Sequence, residues 1–169
     1  MRYYSLALIF SLILALGLTT CSGPDDESTD ITADDIDRFD MTLDMQQLMA
    51  LVLEPTSDTL WDSAGWILDI NEGYRELYPT DDEGWEYVRN RAAIIVETGN
   101  MLALPSRAVD NDAWLIYSKG LSQAGLRAME AAANQDNEEF FQAGAQLYSV
   151  CTACHQAYNP EINSRFVSE

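Results

Sequence analysis

Residues 137–158 read NEEFFQAGAQLYSVCTACHQAY, and the interpretation of the whole chain begins with them. Their apolar and small residues recur at spacings of four and three, the repeat of a helix that packs on neighbouring helices. The repeat consists of Phe140, Gly144, Leu147, Cys151, Cys154 and Tyr158. Asn159 and Pro160 then end the pattern. The stretch predicts a C-terminal helix that turns both cysteines toward the protein core.

Five residues of this helix form a cofactor motif. Cys151-Thr152-Ala153-Cys154-His155 has the pattern C-x-x-C-H, which is the attachment sequence of c-type haem. Two thiols can add to the two vinyl groups of one porphyrin, and the next residue supplies an imidazole for the iron. Helix positions i, i+3 and i+4 lie on one side, so all three groups meet the same flat ligand. We therefore predict one covalent haem c per chain.

Three alternatives to haem attachment remain open for this motif. A redox dithiol follows a strand in an alternating β/α pattern, and the sequence has no such pattern. A zinc site needs four ligands, whereas Cys21 is the only further cysteine and His155 is the only histidine. A chance match within a helix is the third alternative.

The overall charge limits the classes of partner. The 169 residues include 28 acidic and nine basic side chains, which gives a formal net charge of −19. Nucleic acid is excluded as a partner because its phosphates repel such a surface. The charge favours a protein partner with a basic docking surface. Simple solvation of the surface, or adaptation to salt, is the alternative.

The N-terminus has the features of an export signal. Arg2 precedes a short apolar run over residues 5–18, which fits a signal peptide covering residues 1–20 better than a transmembrane helix. Leu18-Thr19-Thr20-Cys21 resembles the bacterial lipobox, although Thr20 replaces the usual Gly or Ala. We predict lipidation of Cys21 and a periplasmic, membrane-anchored protein. Ordinary cleavage nearby, giving a soluble periplasmic protein, and an uncleaved anchor are the alternatives, and all three export the chain.

Domain boundaries follow from composition and periodicity. Residues 21–32 are rich in Gly, Pro, Ser and Asp and predict a flexible acidic tether. Residues 33–169 form the predicted domain, an all-α antiparallel four-helix bundle, because no alternating strand pattern persists. The first predicted helix runs from Ala33 to Leu53, and a second helical piece runs from Pro55 through Leu68 and is followed by a linker. The third helix begins at the capping box Thr80–Glu83. The fourth runs from Asp110 or Asn111 to Ala133, and the C-terminal helix follows it.

Two stretches resemble a known family. CTACHQAYNP (151–160) and, less closely, MTLDMQQLMALVLEP (41–55) are similar to class II cytochromes c, the group of cytochrome c′ and cytochrome c556. The resemblance covers roughly residues 33–158. It implies a four-helix bundle with haem linked to the last helix and packed on the first, with His155 as the proximal ligand. Members of the family often pair, so a homodimer through the first two helices is compatible with it. The chain departs from the family in a longer stretch over Trp61–Pro79 and in Asn159, where a basic residue is common.

The second axial position of the iron depends on the first helix. A pair of histidines is excluded because His155 is the only one. Met41, Met45 and Met49 recur every four residues on the helix that the resemblance places against haem. We choose Met49 as the candidate distal ligand and Met45 as the second choice. A plain core role for these methionines, ligation by Lys119, a water ligand and a vacant position remain open, and Met101 and Met129 are interpreted as core residues.

The sequence thus predicts an electron carrier and not an enzyme. Thioether ligation raises the reduction potential and gives a low-spin centre suited to single-electron transfer. A vacant position would instead give a five-coordinate, cytochrome c′-like protein that binds nitric oxide or carbon monoxide. A haem-free helical lipoprotein with a structural role is the third possibility.

Overall fold

The structure, a computed structural model, describes residues 39–161, and these residues are mostly helical. Helix α1 covers residues 45–62, α2 is Asp82–Leu102, α3 is Ala113–Asn134 and α4 is Asn137–Tyr158. A hairpin of strands β1 (Trp66–Asp69) and β2 (Gly73–Glu76) lies between α1 and α2. The predicted signal peptide, the tether and Cys21 lie outside the described residues. Within 39–161, no helix is both long and apolar enough to cross a membrane.

Helix α1 begins later than the sequence suggested. We predicted a start at Ala33, but residues 39–44 are not helical and the helix begins at Met45. The Asp44 carboxylate accepts the Gln47 N–H at 2.8 Å, and the Gln47 side chain accepts the Asp44 N–H at 3.1 Å. This reciprocal capping box satisfies two N–H groups at the helix start and therefore fixes the boundary.

A π-helical turn interrupts α1. Residues Met45–Leu48 and Glu54–Asp62 are α-helical, whereas Met49–Leu53 forms a π turn in which the Glu54 N–H bonds to the Met49 carbonyl. Pro55 follows at once, and a proline ring clashes with the carbonyl four residues before it unless the helix widens there. The wider turn shifts the buried stripe by one residue, from Leu48 to Leu53. A continuous α-helix would place Val52 on the stripe of Leu48, whereas Val52 here is only partly buried and packs at the edge of the core.

The second helical piece was predicted too long. It ends at Asp62, and the apolar run that we assigned to it forms β1 of the hairpin. Gly65, just before β1, and Gly73, the first residue of β2, have positive φ values of 83° and 77°, which glycine adopts without strain. The Asp69 carboxylate accepts the N–H of Asn71 at 2.7 Å and of Glu72 at 3.0 Å, which stabilises the turn between the strands. The expectation that no strand is present was wrong for this segment.

Each of the three remaining helices buries one stripe of residues at helical spacing. The buried residues of α2 recur at helical spacing along the sequence and are Trp85, Val88, Ala92, Ile95, Thr98, Gly99 and Leu102. Its N-cap is Asp81, whose carboxylate accepts the Gly84 N–H at 2.8 Å, and not Thr80 as predicted. A side chain at Gly99 would lie 2.2 Å from Ser122 Oγ and 2.7 Å from the Ser118 carbonyl oxygen. The absence of a side chain at Gly99 therefore allows α2 and α3 to pack at very short range.

Contacts between helix ends define the directions of the helices. Trp114, at the start of α3, donates its indole N–H to the Leu102 carbonyl at the end of α2, at 2.7 Å. Trp61, near the end of α1, donates to the Gly144 carbonyl in the first half of α4, at 3.0 Å. A two-residue turn at 135–136 separates α3 from α4, with Gln135 in the left-handed conformation. Consecutive helices therefore run in opposite directions, which is compatible with an all-α bundle.

Candidate functional site

A cavity of about 560 Å³ lies between α1, α3 and α4 at the end of the helices where α2 finishes. Its volume is within the range of about 300–1,000 Å³ that is typical of sites for small molecules and cofactors. Most of its wall is apolar or aromatic. The lining residues are Met49, Leu53, Glu54, Ser57, Asp58, Trp61, Leu102, Trp114, Tyr117, Ser118, Leu121, Tyr148, Val150, Cys151, Thr152, Cys154, His155, Gln156 and Pro160.

All three chemically active residues of the C-x-x-C-H motif line this cavity. Cys151, Cys154 and His155 come from the second half of α4, as their spacing predicted, and each is partly buried. The first half of the same repeat is completely buried, with Phe140 and Leu147 each 1 % exposed. The core stripe of α4 therefore continues into the wall of the cavity.

Helix α1 supplies another part of the wall. Met49, Leu53, Ser57 and Trp61 line the cavity at intervals of four residues, so they form one face along the helix. Met49, the first choice as distal residue, thus lies in the same cavity as His155. Met45, the second choice, packs on the core and is not among the residues that line the cavity. Met101 and Met129 pack on the core, as predicted.

Ser57 brings an unpartnered hydroxyl to the wall. The residue is 2 % exposed, and its Oγ has no hydrogen-bond partner among the described residues. A buried hydroxyl without a partner costs roughly 1–3 kcal/mol. A ligand with a hydrogen-bonding group beside Ser57 would recover that energy. The other polar residues of this helix face are Glu54 and Asp58, which make the cavity locally acidic.

Both thiols of the motif are free and are held in the neutral form. Burial, with a smaller contribution from the neighbouring Cys154, raises the pKa of the Cys151 thiol to about 12. Burial likewise raises the pKa of Cys154. A redox dithiol depends on a lowered pKa to produce a nucleophilic thiolate. The electrostatics of this pair therefore disfavour thiol–disulfide exchange.

An aromatic cluster ties the end of α4 to the start of α3 beside the cavity. The ring centroid of Tyr158 lies 5.0 Å from that of Trp114 and 6.1 Å from that of Tyr117, both edge to face. The Tyr158 hydroxyl donates to the Asp110 carboxylate, which also accepts the Trp114 N–H at 3.0 Å. The Tyr158 hydroxyl and the backbone N–H groups of Trp114 and Asp112 lower the pKa of Asp110. The same carboxylate raises the pKa of Tyr158 to about 12.

Sequence reasoning missed several residues of the wall. Ser57 and Trp61 continue the four-residue spacing that begins at Met49, and this signal was available across Pro55. Trp61 packs over Gly144, donates to its carbonyl oxygen and meets Tyr148 edge to face at 6.1 Å. Tyr148 lies three residues before Cys151 on the same helix, so helical spacing could also have placed it beside the motif.

The residues present fit a flat and largely apolar ligand that is held by two thiols and one imidazole. The thiols and the imidazole come from α4, a thioether comes from α1, and apolar side chains form much of the rest of the lining. No group of three or more His, Cys, Asp or Glu side chains that could by itself hold a metal ion occurs in residues 39–161.

Comparison with protein-family models, with curated proteins and with solved structures finds no significant match. The similarity to class II cytochromes c consequently rests on the two quoted stretches of sequence and stays a prediction.

Proposed function

We propose that this chain is an exported class II cytochrome c that carries one covalent haem and transfers single electrons. The observation that carries the proposal is the shared cavity: Cys151, Cys154 and His155 line one wall and Met49 lines another. Two thiols and an imidazole at helical spacing are the groups that haem attachment requires. The proposed fold is accordingly the cytochrome c′-like form of the antiparallel four-helix bundle, and the proposed haem domain is residues 33–169.

Each residue of the motif would have a defined task. The Cys151 and Cys154 thiols would each add across a vinyl group of the porphyrin, with the sulfur forming the new bond and the thiol hydrogen passing to the other vinyl carbon. This addition consumes no oxidant. The His155 imidazole would bind the iron as the proximal ligand. Haem, when bound, would supply a centre that accepts and releases one electron.

Helix α1 would control the opposite side of the centre. The Met49 thioether is the proposed distal ligand, because the residue lines the cavity and leads the face that continues through Leu53 and Ser57. Apolar lining residues around it would exclude water, and both effects favour the reduced iron. The π turn at Met49–Leu53 supports this assignment, since such turns occur frequently at functional sites.

The second candidate is a protein that binds a diatomic gas at a vacant axial position. The observation that favours it is the buried, unpartnered Ser57 hydroxyl in the same cavity. This hydroxyl would donate a hydrogen bond to a gas molecule on the iron. Leu53, buried at 7 % exposure, would then block approach of larger ligands.

Cellular location is the third part of the proposal. The lipobox-like sequence ending at Cys21 would anchor the chain to the outer face of a bacterial cytoplasmic membrane or to the outer membrane, through residues 21–32 as tether. The net charge of −19 would steer the domain to a basic redox partner. Replacement of Cys21 with Ser is expected to move the protein from the membrane fraction to the soluble fraction.

The first experiment tests haem attachment. The full chain, produced with haem supply, is extracted with acidified acetone and examined in alkaline pyridine with a reductant. We expect the protein to keep its pigment and to give the spectrum of haem bound through thioethers. Cys151→Ala/Cys154→Ala should lose all covalent pigment, whereas Ser149→Ala, an exposed residue of the same helix, should keep it. A wild-type chain without covalent pigment excludes both candidate functions.

The second experiment separates the two candidates. Methionine ligation predicts sharp low-spin bands in the reduced visible spectrum, which Met49→Ala should convert to a broad high-spin band with a lower reduction potential. Met129→Ala, a core methionine on α3, is the matched control and should leave the spectrum unchanged. A low-spin spectrum that survives both Met49→Ala and Met45→Ala contradicts the ligand assignment. A high-spin wild-type spectrum favours the gas-binding candidate.

A further inference from the structure

The β-hairpin presents an apolar face to solvent. Trp66, Leu68 and Tyr74 are 62 %, 73 % and 61 % exposed, and we call these three residues the hairpin face. Ile70, in the turn beside them, is 97 % exposed. Exposed apolar residues that occur singly are ordinary, but a contiguous group marks an interaction site.

Strand register places these residues together. Leu68 pairs with Tyr74 across the ladder and Trp66 pairs with Glu76, and directly paired residues point to the same side of a sheet. The rings of Trp66 and Tyr74 have centroids 5.9 Å apart. Ile67 and Arg75 pair with each other on the opposite side. The hairpin face is therefore one continuous apolar surface, on a hairpin that is marginally stable by itself.

Carboxylates lie on and beside this surface, with Glu76 on the same side of the ladder as Trp66 and Asp69 on the opposite side, at the turn. Asp69, Glu72 and Glu76 are exposed at the turn and along the strands. The one basic residue of the hairpin, Arg75, lies on the other side with its Nε 4.0 Å from a carboxylate oxygen of Glu72. An apolar centre with a polar rim is the usual composition of a protein–protein interface, and here the rim is negative.

The base of the hairpin adjoins the cavity wall. The Ala64 N–H bonds to the Trp61 carbonyl at 3.2 Å, and Trp61 lines the cavity. The Leu77 N–H bonds to the Gly65 carbonyl at 3.0 Å, which closes the hairpin base over the start of α4. There, a Cβ at Gly65 would lie 3.2 Å from the Phe141 ring. A partner on the hairpin would thus stand next to the Trp61 end of the cavity.

We propose that the hairpin face is the docking surface for a protein that carries Lys or Arg residues around an apolar patch. Charge complementarity selects this occupant, because a second copy of the chain or an anionic lipid surface would bring negative charge against the acidic rim. The identification of that protein as a redox partner rests on the proposed function. The docking surface itself does not, since it involves none of the haem-binding residues. The contact would be small and transient, as is common between redox proteins.

The test uses the full chain and a synthetic probe of the stated chemistry. The probe is a helical peptide with a leucine face flanked by lysines, titrated at low salt while Trp fluorescence and two-dimensional NMR spectra are recorded. We expect resonances of the hairpin to shift first. Leu68→Ser and Ile70→Ser should each weaken binding by about fivefold or more, because the apolar centre carries most of the affinity. A probe with glutamates in place of the lysines should not bind.

Matched variants separate the hairpin from the generally acidic surface. Ile116→Ser removes an exposed apolar residue on α3 and should change the affinity by less than about twofold. Glu72→Gln/Glu76→Gln should weaken binding and reduce its dependence on salt, whereas Glu130→Gln, on α3, should do neither. Circular dichroism melts of each variant check that the bundle remains folded.

Three results would overturn the docking surface. The first is equal binding of the probe by the wild type and by both apolar hairpin variants. The second is hairpin-dependent sedimentation of the chain with phosphatidylcholine vesicles, which would assign the face to a membrane. The third is hairpin-dependent dimerisation. The haem content of each sample is measured separately, so a chain without haem that still binds through the hairpin would contradict the proposed function and leave the docking surface intact.

Discussion

The two halves of helix α4 carry the same repeat and meet different surroundings. In the first half, Phe140 and Leu147 are completely buried, and Phe140 meets the Trp85 ring edge to face at 5.6 Å. In the second half, Cys151 and Cys154 occupy equivalent positions but face a cavity. The seven-residue pattern therefore determines which side of the helix faces inward, while neighbouring helices determine whether protein fills the space beside it. The cavity half is where a ligand would complete the core.

The largest expected effect is on the filled half. Phe140→Ala should lower the free energy of unfolding by roughly 3–5 kcal/mol, because it empties the space beside Trp85. Its neighbour Phe141 is 46 % exposed, and Phe141→Ala should cost about 0.5 kcal/mol or less. Urea denaturation of both variants measures the difference. Similar losses for the two would mean that the first half of α4 does not pack into a filled core.

A second effect tests the close contact between α2 and α3. Gly99→Ala places a Cβ against Ser122 and against the backbone of Ser118, so we expect a loss of roughly 1–3 kcal/mol in unfolding free energy. Gly120→Ala is the control, because its Cβ would meet only Val150 at an ordinary 3.4 Å. That change should be neutral, or stabilising by up to about 1 kcal/mol through helix propensity. Equal effects at the two glycines would contradict the close helix contact.

A smaller effect is expected on the cavity half. In chain produced without haem, Cys151→Ala should change the unfolding free energy by less than about 1 kcal/mol, because the side chain is small and packs on the core on one side while it borders the cavity on the other. Leu147→Ala, one turn earlier on the same stripe, should cost roughly 2–5 kcal/mol. Thermal denaturation of the two variants measures the difference in their unfolding free energies. A cost at Cys151 equal to that at Leu147 would remove the distinction between the two halves.

The smallest effect concerns pH. The Tyr158 hydroxyl, with the Trp114 and Asp112 N–H groups, lowers the pKa of Asp110 in the folded chain. Its stabilising contribution is therefore complete above the unfolded pKa of about 3.9 and disappears as the pH falls through the lower folded value. We expect the melting-temperature difference between wild type and Asp110→Ala to shrink from pH 6 to pH 3. Asp112→Ala, whose side chain makes no capping bond, should show no such dependence.

Tyr158 provides the alkaline counterpart of the same interaction. Its hydrogen bond to Asp110 raises the tyrosine pKa to about 12. The contribution is complete below the unfolded pKa of about 10 and is lost as the pH rises toward the folded value. Tyr158→Phe should therefore have a lower melting temperature than the wild type at neutral pH. The difference between the two should shrink above about pH 10. A constant difference across that interval would exclude the bond as a source of stability.

Helices α2, α3 and α4 could be predicted from sequence because their apolar stripes run without interruption between clear end signals. The start of α1 could not, since residues 33–44 contain neither Gly nor Pro, and the capping box of Asp44 and Gln47 lies inside that apparently helical stretch. The hairpin was missed because the short run of Trp66, Ile67 and Leu68 has the same composition in a buried helix and in a strand.

The candidate site was predictable in part for a related reason. Spacing alone indicated that Cys151, Cys154 and His155 share one face, and the methionine repeat indicated Met49. Ser57 and Trp61 continue the four-residue spacing from Met49, but we divided the helix at Pro55 and did not extend the spacing across it. The wider turn before Pro55 is a response to sterics, and the periodic pattern does not indicate it.

That turn also sets how the two ends of α1 are aligned with each other. A π turn is equivalent to one residue inserted into an α-helix, so residues before and after it follow two different reading frames of the same helix. Deletion of Ala50 would remove the extra residue and rotate everything before it by about 100° relative to the rest. Leu48 would leave the core, and the capping box at Asp44 would move with it. An otherwise mild one-residue deletion would thus separate the helix start from the cavity wall that it now supports.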